Sequence, residues 1–187
     1  MDIQELHSRA DGTLFGAVEV TPGRYVLFIG EELIEEIGGK KIEYVRRLYS
    51  QADNTVVGVV RLKDGTECLF KRDPFGGEEL ITKIGAWEIE SVDELYPLSD
   101  GTLVGVLRIE GDRRVPFRFV SSTKNVLLEH IILDSDVVKI INIRDFRYNR
   151  DDGTIEGYAQ LANGSWIKFK WDKVGRVTIE ERWEEQL

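Results

Sequence analysis

Residues 95–109 read "LYPLSDGTLVGVLRI": an apolar run, the turn signal Ser99-Asp100-Gly101-Thr102, then a second apolar run. Asp and Gly tolerate the backbone geometry of a tight turn, so the stretch predicts a β-hairpin. The phrase returns. "LHSRADGTLFGAVEV" occupies 6–20, "LYSQADNTVVGVVRL" 48–62 and "RYNRDDGTIEGYAQL" 147–161. With Asp11, Asp53, Asp100 and Asp152 aligned, a glycine follows five positions later each time, as Gly16, Gly58, Gly105 and Gly157. Twelve residues beyond each glycine stands Phe28, Phe70, Phe117 or Phe169, and four before each aspartate stands His7, Tyr49, Tyr96 or Tyr148. Eleven residues before the last three aspartates come Ile42, Ile89 and Ile141.

The copies step by 42, 47 and 52 residues, a period shared by propeller blades and some helical repeats. The local pattern separates the two. Apolar residues run or alternate over short β-branched and aromatic stretches, not over helical turns. The third unit divides into strands at about 91–98, 102–109, 114–120 and 126–132, with Glu110-Gly111-Asp112-Arg113 as its second turn. Equivalent second turns lie at 21–24, 63–66 and 162–165. The fourth strand has its own echo in "LIEEI" (33–37), "LITKI" (80–84) and "LLEHI" (127–131). Each unit is therefore expected to be a four-stranded antiparallel meander. Its glycine would mark a close backbone approach, and its phenylalanine would fill the space between neighbouring sheets.

One such sheet cannot bury both faces alone, and packing sheets around an axis solves this. On these residues the chain resembles the β-propeller superfold, over about residues 3–183. The resemblance implies an all-β fold, a single repeat domain over 1–187 with units near 1–39, 40–86, 87–138 and 139–187, and a four-bladed ring as the natural count. Two alternatives stay open: a closed β-barrel of hairpins, and a half ring that dimerises to eight blades. No Trp-Asp closes a third strand as in WD40 repeats, and the Gly-Gly at 76–77 does not recur as in kelch repeats. The resemblance therefore implies architecture and carries no family's activity.

Composition bounds the partners. The net charge is −9 and the pI about 4.9, which disfavours nucleic acid and anionic membranes, and favours another protein, a basic one fitting the charge best. Cys68 is the sole cysteine, so no internal disulfide forms and a reducing compartment is favoured. No basic-then-apolar leader opens the sequence and no apolar stretch approaches 18 residues. The expectation is a cytoplasmic monomer or homodimer.

Candidate chemistry is sparse. His7 and His130 fall at different places in their units, and no nucleophile elbow, phosphate loop or metal spacing occurs, so no catalytic residue, metal ligand or cofactor is assigned. The acidic pairs Asp134/Asp136 and Asp151/Asp152 read as turn residues, and the run Glu31, Glu32, Glu35, Glu36 as charge that blunts an outer edge. Two binding candidates remain. His7, Tyr49, Tyr96 and Tyr148 lie in the strands expected nearest the axis, where four rings around a channel mouth would hold a small ligand or a peptide end. Trp87 follows Gly85-Ala86 in the joint between units two and three, where a lone exposed Trp would anchor a partner. The joints at 38–41, 85–88 and 133–139 diverge most, which marks them as the expected recognition face. The expected function is a non-catalytic protein-binding or scaffold module. The alternatives are an acidic inhibitor or immunity-type protein that masks a basic partner, and a carbohydrate-active enzyme with paired carboxylates.

Overall fold

The computed structural model describes residues 2–121 and 124–184, and all regular structure in them is β-strand. The first repeat forms β1 (Ile3–Ser8), β2 (Leu14–Thr21), β3 (Arg24–Ile29) and β4 (Glu32–Ile34). The second forms β5 (Glu36–Ile37), β6 (Lys40–Ser50), β7 (Val56–Leu62), β8 (Glu67–Arg72) and β9 (Glu78–Ile81). A hairpin of β10 (Lys83–Ile84) and β11 (Trp87–Glu88) leads into the third repeat: β12 (Ser91–Pro97), β13 (Leu103–Ile109), β14 (Arg113–Ser121) and β15 (Lys124–Leu127). The fourth forms β16 (His130–Leu133), β17 (Asp136–Tyr148), β18 (Ile155–Leu161), β19 (Ser165–Trp171) and β20 (Val177–Glu184). In each of these four sheets the strands stand in chain order, so each is an antiparallel meander.

The Asp-Gly phrase works as a hydrogen-bond device. One carboxylate oxygen of Asp11, Asp53, Asp100 and Asp152 accepts the backbone N–H of Thr13, Thr55, Thr102 and Thr154, at 2.9 Å in every copy. The residue between them takes a positive φ, 85° at Gly101 and 66° at Asn54, the one copy in which Asn replaces Gly. The fourth turn is one residue longer than the others. Its closing bond runs from Asn149 N–H to the Thr154 carbonyl, against Leu98 to Thr102 in the third repeat. This displaces β17 by one position, so Ile140 rather than Ile141 pairs with Leu161 and is fully buried, as Ile42 pairs with Leu62. Tyr148 likewise pairs with Ile155 and stands where Ser50 and Pro97 stand.

The third repeat's first three strands fall where the sequence predicts. The fourth, expected at 126–132, is broken. β15 ends at Leu127, and β16 pairs instead with β17 in the next sheet. The "LIEEI" echo explains the break. Ile34, Ile81 and Leu128 close one sheet, whereas Ile37, Ile84 and Ile131 begin the next connection, and all six are buried. Between them the carbonyls of Glu35, Thr82 and Glu129 accept the N–H of Ile42, Ile89 and Ile140. The echo is a splice between sheets rather than one strand.

The joints are also more regular than their sequences suggest. Ile37 pairs with Lys40, Ile84 with Trp87 and Leu133 with Asp136, so each joint is a two-residue hairpin turn. Gly38-Gly39 and Asp134-Ser135 have positive φ at both positions, the geometry that matches strand twist. The segment Leu133–Asp136, irregular by sequence, is an ordered turn.

Sheets pack in chain order, the third strand of one on the first strand of the next: β3 on β6, β8 on β12, β14 on β17. The second strands of the middle sheets, β7 and β13, are apolar on nearly every position because both faces are covered; each exposes only one residue to any extent. Phe70, Phe117 and Phe169 are fully buried between sheets, while Phe28 in the first sheet is only partly covered. A Cβ at Gly16 or Gly105 would lie 2.0 or 1.9 Å from the carbonyl oxygen of Glu5 or Glu94, so glycine is obligatory there.

Candidate functional site

The first strands of the repeats, β1, β6, β12 and β17, end toward a common cavity of about 570 Å³. His7, Tyr49, Tyr148 and Arg150 line it, with serine, leucine, proline and phenylalanine filling the rest. The Asp-Thr turns fix the strand ends, and the stacked sheets fix the angle between strands, so the lining residues are held by the repeat itself.

Three of the four axial rings converge there. The His7 ring stacks on Phe15 with centroids 5.3 Å apart, and its Nε2 lies 3.4 Å from Glu5 Oε2. Glu5 pins the strand beside it. Its two carboxylate oxygens accept the N–H of Arg47 and Leu48 at 2.9 and 3.0 Å. These residues form a bulge opposite Gly58, with Arg47 at a φ of 54°. The bulge directs the following Tyr49 into the mouth. Burial pushes the Tyr49 hydroxyl above its ordinary pKa, so it stays protonated and able to donate. Tyr148 reaches the cavity through the shifted register of β17.

Tyr96 does not line the cavity. Its ring stacks on Phe146 at 6.0 Å, and its hydroxyl donates to Glu94 at 3.1 Å. Burial, with the Glu94 charge second, raises its pKa as well. Trp87 lies apart from the mouth on the β10–β11 hairpin. It is half-buried, with the Arg113 guanidinium 5.4 Å from its ring centroid. Arg113 is itself buried, donating its Nε to the Ile140 carbonyl at 3.2 Å. Arg24 makes the same bond to Ile42 at 3.0 Å in the first repeat. Arg24 and Arg113 each stand four residues before the repeated phenylalanine, a signal present in the sequence and overlooked there.

Arg150 joins the lining from outside the aligned ring positions. It belongs to the longer fourth turn, two residues before the aligned aspartate, where the first repeat has the buried Arg9. Among the described residues it is the one lining the cavity with a fixed charge, on a chain of net charge −9. Cys68 offers no nucleophile: it is fully buried, and burial pushes its thiol up to about 12. Among the described residues no group of three or more His, Cys, Asp or Glu is placed to hold a metal ion.

No family model matches the sequence, and no curated protein matches it at a significant level. Solved structures do match in shape. A gluconolactonase from Xanthomonas campestris, XC5397, superposes with a TM-score of 0.51 at 11% identity, over 95% of this chain and 61% of its own. TolB from Acinetobacter baumannii gives a TM-score of 0.53 at 13% identity, over 95% of this chain and 43% of its own. The chain thus spans less than two thirds of either protein. At these identities the likeness shows the fold alone, which is of β-propeller type.

Proposed function

We propose that this chain is a non-catalytic binding module, an array of four propeller blades whose ligand sits in the axial mouth. The observation that carries this is the convergence of His7, Tyr49, Tyr148 and Arg150, from the first, second and fourth repeats, on one cavity with a single fixed positive charge. Rings with polar tips bind apolar bodies while keeping a hydrogen bond, and an arginine pairs bidentately with a carboxylate. The chemistry suits the C-terminal end of a partner protein's peptide chain: a free carboxylate on Arg150 and an apolar side chain among the rings. Among the described residues no carboxylate lines the cavity, which supports binding over hydrolysis by paired carboxylates.

The test is fluorescence anisotropy with labelled peptides ending in an apolar residue, each made with a free and an amidated C-terminus. The free acid is expected to bind at least about tenfold tighter, and Arg150→Gln to remove that difference, consistent with the loss of one charge-assisted pair. Tyr49→Ala is expected to weaken both forms. Equal binding of free and amidated peptides, or an Arg150→Gln variant that still tells them apart, would refute the assignment.

A further inference from the structure

Blades at the two ends of the array each have one face with no neighbouring sheet among the described residues, and the two faces differ in chemistry. On the first sheet, Leu6 pairs with Gly16, Gly16 with Phe28 and Phe28 with Leu33, so these four form one row across the sheet on a single face. Antiparallel pairing and the period of two put Ile3 and Leu14 on the same face. The opposite face, with Phe15, Ala17 and Leu27, is fully buried against the second sheet. The free face is covered only in part: Val18 and Val26, which the same alternation puts on it, are buried, and the rest is at least partly open. Ile3 is 50% exposed, Leu6 55%, Leu14 51% and Leu33 44%, and the row carries no charge.

The free face of the fourth sheet carries Glu156, Tyr158, Lys168 and Lys170, which alternate with buried residues along β18 and β19, beside Trp166 and Trp183. Lys170 bridges Glu156 at 3.3 Å and Glu180 at 2.9 Å, and Lys168 meets Glu180 at 2.9 Å. These pairs finish the surface toward water. Pressing them against the apolar row, head to tail, would desolvate charges on one side and offer them no partner on the other.

We infer that the free face of the first sheet is a dimer surface, and that its occupant is the same face of a second copy across a two-fold axis. Every apolar residue then meets an apolar residue and no charge is buried, and an isologous contact of this kind is the commonest in homo-oligomers. A face of three strands of six to eight residues and a fourth of three covers roughly 350 Å² per copy from strand spacing and rise. Two such faces, about 700 Å² together, fall well below the range of stable interfaces at about 1,200 Å² and above. The dimer is therefore weak, half-formed on the order of 100 μM.

Sedimentation velocity over a concentration series from about 5 to 500 μM reads this directly. The expected result is a monomer–dimer equilibrium that is lost in Leu6→Lys and, separately, in Leu33→Lys, with far-UV circular dichroism and melting temperature unchanged. Both side chains are about half exposed, so either variant should fold, and each tests the surface without the other. A monomer across the whole range would overturn the inference. So would association that survives both substitutions, or that disappears with Lys170→Glu instead, since the latter would put the contact on the fourth sheet.

Discussion

Single glycines decide whether each sheet can form. At Gly105 an added methyl would sit 1.9 Å from the Glu94 carbonyl oxygen and 2.8 Å from the Phe117 ring, and backbone cannot yield as a flexible side chain does. At Gly157, the same place in the fourth repeat, the nearest atom is the Arg144 carbonyl at 3.2 Å, because β17 bulges away there. Gly105→Ala is expected to destabilise the chain by about 3 kcal/mol or more, as overpacking against backbone does. Gly157→Ala should stay within about 1 kcal/mol of the parent, since alanine also restricts the unfolded chain. Urea denaturation of both variants measures this, and equal effects would show that the repeats do not differ at this point. The repeated glycine was legible in the sequence. The difference between its copies was not, because it depends on where the neighbouring strand bulges. Those bulges are marked by positive φ at Arg47 and Asp145, residues that give no turn signal.

At the scale of elements, the Asp-Gly turn is legible from composition and spacing, and the Asp–Thr hydrogen bond inside it predicts a pH dependence. Backbone N–H donation from Thr55 and Thr102 holds the Asp53 and Asp100 carboxyls below the ordinary carboxylate pKa. Hydrogen bonds from Thr13 and Thr154 do the same for Asp11 and Asp152. A group whose pKa is lower when folded stabilises the fold above its unfolded pKa, about 3.9 for Asp, and loses that contribution as pH falls through the folded value. The melting temperature should therefore hold as pH falls to about 4 and drop below it. Replacing the turn aspartates with Asn, which keeps an accepting oxygen, should flatten that drop. A drop of unchanged steepness in the Asn variants would assign the acid sensitivity elsewhere. The connections were less legible. "LIEEI" looks like a strand because both of its apolar ends are buried, yet the two ends serve different sheets. Asp134-Ser135 looks irregular because neither residue is glycine, yet both adopt positive φ. The extra residue in the fourth turn was hidden by an alignment on Asp152, which placed Ile141 and Tyr148 one position away from their structural equivalents.

The whole molecule follows from repetition: meanders alike in sequence pack alike, and their first strands meet at one end. Of the axial rings named from sequence, His7, Tyr49 and Tyr148 line the cavity and Tyr96 turns onto Phe146. Spacing alone could place a ring in an inner strand. It could not say which neighbour the ring would stack on, nor that the longer fourth turn would bring Arg150 to the rim. Trp87, chosen as the lone aromatic of a joint, lies half-buried beneath Arg113, a contact set by a residue 26 positions away. The proposed recognition surface, the axial mouth, is thus distinguishable from the hairpin joints expected from the sequence. Backbone amide chemical shifts, followed while the tightest free-acid peptide is titrated in, separate them most directly. The account predicts that shifts concentrate at His7, Tyr49, Tyr148 and Arg150 and leave residues 38–41, 85–88 and 133–136 still. Shifts centred on those hairpins, with the mouth silent, would contradict it.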